Sequence, residues 1–289
     1  LKNRYNKMRK AYCSETSFLN SVNKYKDDMK NFNVWWLGQS GFLIQWQGKH
    51  LLMDPYLSDS LTKKYAKTNK PHKRITERVV NPLKMDFINV VTASHSHTDH
   101  LDPETLLPLV KSNKSIDLIV PAAEIELAME RSSLSKDKIK LINAGETIES
   151  NGFKFHAIPS AHEKIKKDEN GNHYYLGYIV EFGSWAIYHS GDTVEYDKME
   201  KYLTQWDLDV VFLPINGRKS ERRVPGNMWG TESASLAKRV NARAVIPHHF
   251  NMFTFNTESP NDFITEANNL GQLFFVLENG QHWSSDQLK

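Results

Sequence analysis

Apolar residues in this chain fall in short blocks punctuated by Gly, Pro, Asn and Asp, so the pattern predicts many short strands and few long helices. Asn33–Leu37, Phe42–Trp46 and Leu51–Asp54 read as consecutive strands, with Gly38 and Gly41 in one turn and Gln47-Gly48 in the next. Phe87–Ala93 is a continuous apolar run and reads as a buried strand. Beyond it the periods alternate. Helices are predicted at Pro103–Val110, Ala122–Arg131, Glu232–Val240 and Asn261–Leu270. Strands are predicted at Asp117–Val120, Ile139–Ile142, Phe153–Ile158, Tyr175–Phe182, Trp185–Tyr188, Asp209–Leu213, Ala244–Ile246 and Leu273–Val276. Gly183-Ser184 joins two of them as a hairpin turn. Strands first, then alternating helices and strands, imply an α/β (α+β) class with two sheets and helices outside.

Two stretches escape this pattern. Residues 1–31 mix Lys with Tyr and Phe and predict one or two outer helices without chemistry of their own. Residues 56–82 form a long polar connection with Pro71 and Pro82, either a lid over a site or a disordered surface insertion. Trp35 and Trp36 are expected to pack in the core or a hairpin and not to serve as substrate platforms.

Composition narrows the class. The 289 residues are 39% hydrophobic, enough for a sizeable core. We expect an N-terminal helical extension over 1–32 and one domain over 33–289, because the candidate ligands below must converge. No apolar run approaches the roughly 18 residues of a membrane span. The one cysteine, Cys13, rules out an internal disulfide, and no secretory signal is visible, so a cytoplasmic location is expected. A net charge of +3, with acidic and basic residues interspersed, calls for no nucleic-acid partner. Basic density is local: Lys63-Lys64, Lys67, Lys70, His72, Lys73 and Arg74 form one cluster, and Arg218, Lys219, Arg222 and Arg223 another. Nothing in the sequence fixes the oligomeric state, and a homo-oligomer is compatible with it.

The densest chemistry is Ser94-His95-Ser96-His97-Thr98-Asp99-His100, between the Phe87–Ala93 run and the helix start at Asp102-Pro103. His95 and His97 are two apart, and on an extended backbone both face one ion. Once the chain turns, Asp99 and His100 can address a neighbouring position. The site therefore suits two divalent ions, and imidazole and carboxylate without thiolate fit zinc, manganese or iron and not a closed structural zinc site. Three later candidates each stand just beyond a predicted strand: His162, Asp192 and His249, the last beside His248. Singly each is weak. Their recurrence at strand ends is what gives them weight.

His95-x-His97-x-Asp99-His100, a later His, Gly191-Asp192-Thr193 and Pro247-x-His249 together resemble the metallo-β-lactamase superfamily. Within it the chain is most similar to the L-ascorbate-6-phosphate lactonase-like branch, through Trp35–Gly41, Tyr188–Asp192 and Val245–His249. A related pattern occurs in N-acyl-phosphatidylethanolamine phospholipase D. The resemblance covers roughly residues 33–285 and implies a four-layer αββα sandwich with the metal site at one edge between the sheets. It implies that His95, His97 and His162 hold one metal and Asp99, His100 and His249 the second, with Asp192 bridging. The family places its last ligand two residues after the proline, which favours His249; His248 is then a donor behind the metal or a substrate contact.

The expected function is hydrolysis. A metal-bridging hydroxide would attack a small anionic ester or lactone, such as a sugar-phosphate lactone of the L-ascorbate 6-phosphate kind. Asp99 and Asp192 would be the catalytic carboxylates, and the resemblance implies that Asp99 orients the hydroxide. The alternative is a phosphodiesterase of the N-acyl-phosphatidylethanolamine phospholipase D-like or nucleotide type. A non-catalytic metal-binding or regulatory protein is the third reading. The segment Leu213–Arg223 follows a strand and should approach the site. There Asn216, Arg218 and Arg222 or Arg223 are the candidates for gripping a phosphate or carboxylate on the substrate.

Overall fold

The computed structural model describes residues 8–288. The chain builds two sheets. Their strands are β1 (Asn33–Gly38), β2 (Gly41–Trp46), β3 (Lys49–Met53), β4 (Val90–Thr92), β5 (Asp117–Pro121), β6 (Ile139–Ile142), β7 (Thr147–Ser150), β8 (Phe153–Pro159), β9 (Leu176–Phe182), β10 (Trp185–His189), β11 (Val210–Pro214), β12 (Ala244–His248) and β13 (His282–Ser284). The first sheet runs β13-β1-β2-β3-β4-β5-β6 and the second β12-β11-β10-β9-β8-β7. The helices are α1 (Glu15–Lys24), α2 (Ser60–Lys64), α3 (Pro103–Ser112), α4 (Ile125–Ser132), α5 (Met199–Leu203), α6 (Gly230–Arg239) and α7 (Asn261–Leu270). This is the layered α/β arrangement that the alternation of periods requires.

Alternate faces of the same strands serve two cores. Val34, Phe42, Ile44, Leu51 and Met53 meet Tyr178, Ile187 and Phe212 between the sheets, where the Phe42 and Phe212 ring centroids are 4.4 Å apart. Trp35, Leu43, Leu52, Val91 and Leu118 face outward against Phe18 and Val22 of α1, Leu106 and Leu109 of α3 and Ala128 of α4. Burial on both faces explains the near-continuous apolar runs. Trp35 and Trp36 are core residues, 0% and 2% exposed.

Several predicted boundaries shift. The Phe87–Ala93 run pairs as a strand only over Val90–Thr92, so His95 and His97 lie in bends beyond it and not on extended backbone. Leu273–Val276 is not a strand; it touches β12 through a single bridge between Val245 and Phe274. The short edge strands β7 and β13 and the one-turn helices α2 and α5 carried too little periodicity to be seen. Residues 56–82 are ordered and packed: Tyr56, Leu57, Ile75, Val79 and Val80 are buried, and α2 lies within the segment. Of the expected N-terminal helices, α1 docks on the first sheet; residues 8–14 and 25–31 are not helical, and residues 1–7 lie outside the described range.

Candidate metal centre

Strand ends deliver the candidate ligands to one place. The loop after β4 carries His95, His97, Asp99 and His100, and closes where Asp102 caps α3 by accepting from Glu104 N–H. His162 follows β8, Asp192 follows β10, and His249 follows β12. The donor atoms of His95, His97 and His162 lie within 4.8 Å of one another, as do those of Asp99, His100 and His249. Asp192 stands between the groups. Its Oδ1 is 3.4 Å from His100 Nε2, and its Oδ2 is 3.7 Å from His162 Nε2 and 3.3 Å from His249 Nε2. A tetrahedral ion with bonds of about 2.0–2.1 Å separates its ligand atoms by about 3.3–3.4 Å, so these spacings are those of ligands sharing a cation.

Hydrogen bonding turns the coordinating nitrogens inward. His100 Nδ1 donates to Asp54 Oδ2 at 2.6 Å. Ser94 Oγ also donates to that carboxylate, and in turn accepts from His95 Nδ1 at 3.0 Å. One buried carboxylate therefore fixes the tautomer of two imidazoles, directly and through a hydroxyl. His162 Nδ1 donates to the Gly226 carbonyl at 3.1 Å. His95 Nε2, His100 Nε2 and Asp192 Oδ1 are buried and have no hydrogen-bond partner. Buried polar atoms left without partners are costly, and several on facing residues mark a position for a cation. The donor set and these orphaned atoms fit divalent metal.

Electrostatics agree. Burial and the neighbouring imidazoles hold His95 well below the usual histidine range. Burial brings His162 down to about 4. His97 is lowered by burial. These three are neutral at pH 7. His100 goes the other way: burial opposes its charge, but Asp192, Asp99 and Asp54 outweigh burial and raise it well above the usual range. For Asp192, burial is outweighed by His249 and His100, and its carboxyl is held well below the ordinary carboxylate value. A proton on His100 and a cation between these carboxylates are alternative answers to the same negative charge.

Backbone strain concentrates here. His249 has φ +62°, Gln39 φ +50° and Asp54 φ +43°, all in the left-handed region. Such strain persists where the surroundings over-determine it. His249 N–H donates to Gln39 O at 2.9 Å, and Gln39 Nε2 donates to Asp99 Oδ2 at 2.8 Å. Gly191, with φ +60°, packs where a Cβ would sit 2.5 Å from that of Ser94, so only glycine lets the Asp192 loop approach the histidine loop.

The cluster floors a cavity of about 300 Å³, walled by α2 and its following loop, by Arg131 of α4, and by Val224, Pro225 and Asn256. Asp99, 14% exposed at the side chain, is on its wall. The substrate-binding candidates are placed differently. Arg218 forks onto Glu232 with two contacts of 2.6 Å and lines a separate depression. Arg222 is spent on Asn216 O, Asn256 Oδ1 and Glu258. Asn216 is fully buried behind Asn256. His248 is fully buried, stacked on His189 at 5.0 Å between centroids and bonded to Ser40. None of these four is brought to the cavity wall; the 213–226 segment reaches it instead through Val224, Pro225 and the Gly226 carbonyl. Asp54, Gln39 and Arg131, whose guanidinium holds the Ser96 and Leu101 carbonyls, escaped the sequence reading. Asp54 alone carried a signal, an acid at the end of the apolar run Leu51–Met53, the same strand-end position that marks the ligands.

Comparison with known proteins places this arrangement. A family model described as a beta-lactamase superfamily domain matches residues 33–249. A UPF0173 metal-dependent hydrolase of Caldivirga maquilingensis is 26% identical over 234 residues, 80% of this chain and 88% of the relative. One from Thermoplasma acidophilum is 28% identical over 251 residues, 86% of this chain and 97% of the relative. The solved structure of a possible metal-dependent hydrolase from Veillonella parvula superposes with a TM-score of 0.67 at 18% identity, covering 88% of this chain and 99% of that one. The two sheets, the strand-end ligands and these matches agree, and the chain belongs to the metallo-β-lactamase superfamily.

Proposed function

We propose that this protein is a metal-dependent hydrolase that cleaves a small ester or lactone bearing an anionic group, a sugar-phosphate lactone being the model substrate. The observation that carries this reading is the convergence of seven donor residues with orphaned atoms at His95, His100 and Asp192. The relatives above are named as metal-dependent hydrolases, which supports the reaction class. His95, His97 and His162 would hold one cation and Asp99, His100 and His249 a second, with Asp192 shared; zinc, manganese and iron all suit these ligands. When bound, such ions supply a nucleophilic water at neutral pH and polarise the oxygen under attack.

The chain's own residues do the rest. Asp54, Ser94 and the Gly226 carbonyl aim the imidazoles. Asp99 Oδ2 is engaged by Gln39, which leaves Oδ1 to accept a hydrogen bond from a water and so orient it toward the substrate. The cavity volume of about 300 Å³ is at the low end of small-molecule pockets. Two measurements test the reading. Asp192→Ala should lose metal, read by elemental analysis, and turnover together; full occupancy at normal rates would refute the ligand set. A screen of lactones and esters against phosphodiesters should find the first group faster. Phosphodiesters alone being cleaved would transfer the site to the phosphodiesterase class.

A further inference from the structure

The wall facing the metal-binding cluster carries a different chemistry. The α2 helix and the loop after it contribute Leu61, Lys64, Tyr65, Lys70 and His72 to the cavity. Lys64 Nζ donates to Thr98 Oγ1 at 3.2 Å, and Thr98 stands between His97 and Asp99. Lys70 is held by its backbone on both sides. Its N–H donates to Thr68 Oγ1 at 3.2 Å, and its carbonyl accepts from His72 Nδ1 at 2.8 Å. Neither ammonium makes an ion pair among the described residues, whereas their neighbours Lys63 and Arg74 are tied to Glu104 and Asp59. Among the described residues, the only carboxylates on the cavity wall are Asp99 and Asp192, both candidate metal ligands.

Asn256 completes the wall. Its backbone has φ +53°, a conformation Asn tolerates better than most residues. Its Oδ1 accepts from Asn216 Nδ2 at 3.1 Å and from Arg222 Nη1 at 3.3 Å. With the oxygen held by two donors, the amide is fixed in orientation and Nδ2 remains as its group for a ligand. Two unpaired ammoniums and one amide N–H in the same concave wall are a donor set for an oxyanion.

We propose that Lys64, Lys70 and Asn256 form a subsite that binds a terminal phosphate of the substrate while the scissile group lies over the metal-binding cluster. Phosphate is the ligand because three separate donors match the oxygens of a dianion, and lysines act on it as point charges. Asn216 and Arg222 are then positioning residues that act through Asn256. The proposal rests on the hydrolase reading of the same cavity and names its substrate class.

The test is calorimetric binding of glucose 6-phosphate, with glucose and glucuronate as neutral and carboxylate counterparts, to the metal-loaded protein. Wild type should bind the phosphate ester more tightly than either counterpart, and the more so at low salt. Lys64→Ala/Lys70→Ala should weaken it by about tenfold or more, as loss of charge-assisted contacts requires. Asn256→Ala should weaken it severalfold, and Lys67→Ala, a lysine of the same segment away from the wall, should leave it unchanged; metal content should be unchanged in all three. Equal affinity in wild type and the double variant, no binding by wild type, or tighter binding of glucuronate would each overturn the subsite. Failure of the hydrolase reading looks different: no turnover across the ester, lactone and phosphodiester panel while these binding differences persist.

Discussion

Asp54 is the residue on which both ligand groups depend, and its removal has a calculable effect. Its carboxylate is fully buried, as is His100, whose Nδ1 it holds at 2.6 Å. It also accepts from Ser94 N–H at 2.8 Å and from Ser94 Oγ, which orients His95. Asp54→Ala strands three donors, the Ser94 N–H, the Ser94 O–H and the His100 N–H. Each buried donor left without a partner costs about 1–3 kcal/mol, so the fold should lose about 3–9 kcal/mol. Removing the outer partner of a ligating histidine typically costs ~10–100-fold in metal affinity, equivalent to about 1.4–2.7 kcal/mol. The two effects separate in Asp54→Asn, which tolerates φ +43°, keeps an acceptor for Ser94 N–H, and places an amide N–H against Ser94 Oγ and His100 Nδ1, a contact satisfied only when His100 takes the other tautomer. The assay is competition for zinc against a chromophoric chelator, with thermal unfolding of the metal-free protein alongside. The expected result is weak metal binding in both variants and a large fall in Tm only in Asp54→Ala. Chelator competition indistinguishable from wild type in both would refute the claim that Asp54 sets the His95 and His100 tautomers.

The remaining outcomes follow from the same geometry. Metal binding should release protons, because His95, His97 and His162 are already neutral while His100 stays protonated above the usual histidine pKa. Affinity of the Asp99–His100–His249 group should therefore rise with pH through and beyond neutrality, and calorimetry in buffers of contrasting ionisation enthalpy should show about one proton released per protein near pH 7; zero release would contradict the charge assigned to His100. Gly226→Ala places a Cβ 2.1 Å from Arg218 Cβ and 2.7 Å from its Cα, so the loop must shift and take the Gly226 carbonyl away from His162. Lower Tm and weaker occupancy of the His95–His97–His162 group are expected, and crystallography with full occupancy there would exclude the linkage.

Legibility in the sequence followed burial. β2 and β9 stood out because both faces are largely covered, β3 through Leu51-Leu52-Met53, and β8 because exposed Lys154 and half-buried His156 alternate with buried Phe153, Phe155 and Ala157. β7 contributes one apolar residue at a sheet edge and β13 only His-Trp-Ser, so neither produces a period. The reverse error at Leu273–Val276 has a similar origin. An apolar segment laid along β12 reads like a strand, although only Val245 and Phe274 pair. The convergence of the candidate ligands was legible because their loops follow strand ends, where the sheets present side chains to a common edge. Asp54 shares that position, but its role depends on a contact with a residue 46 positions away, which no local pattern encodes.

Charge was the least legible feature, and the reason is physical. The Arg218–Arg223 cluster is as dense as the Lys63–Arg74 cluster in sequence, yet density says nothing about which cations are spoken for. Arg218 is closed by a bidentate contact to Glu232, which also caps α6 by accepting from Trp229 N–H. Arg222 is consumed by carbonyls and Glu258 in a nearly buried position. A guanidinium has a planar fork that folding readily satisfies with local carboxylates and carbonyls; an ammonium on a flexible stem is more easily left over. Lys64 and Lys70 are left over at a cavity whose carboxylates are candidate metal ligands. Availability and not abundance decides which basic residues can meet an anion, and it is created by the fold: α2 and its loop bring Lys64 and Lys70 to the cavity wall, while Arg218 and Arg222 are paired with Glu232 and Glu258 away from it.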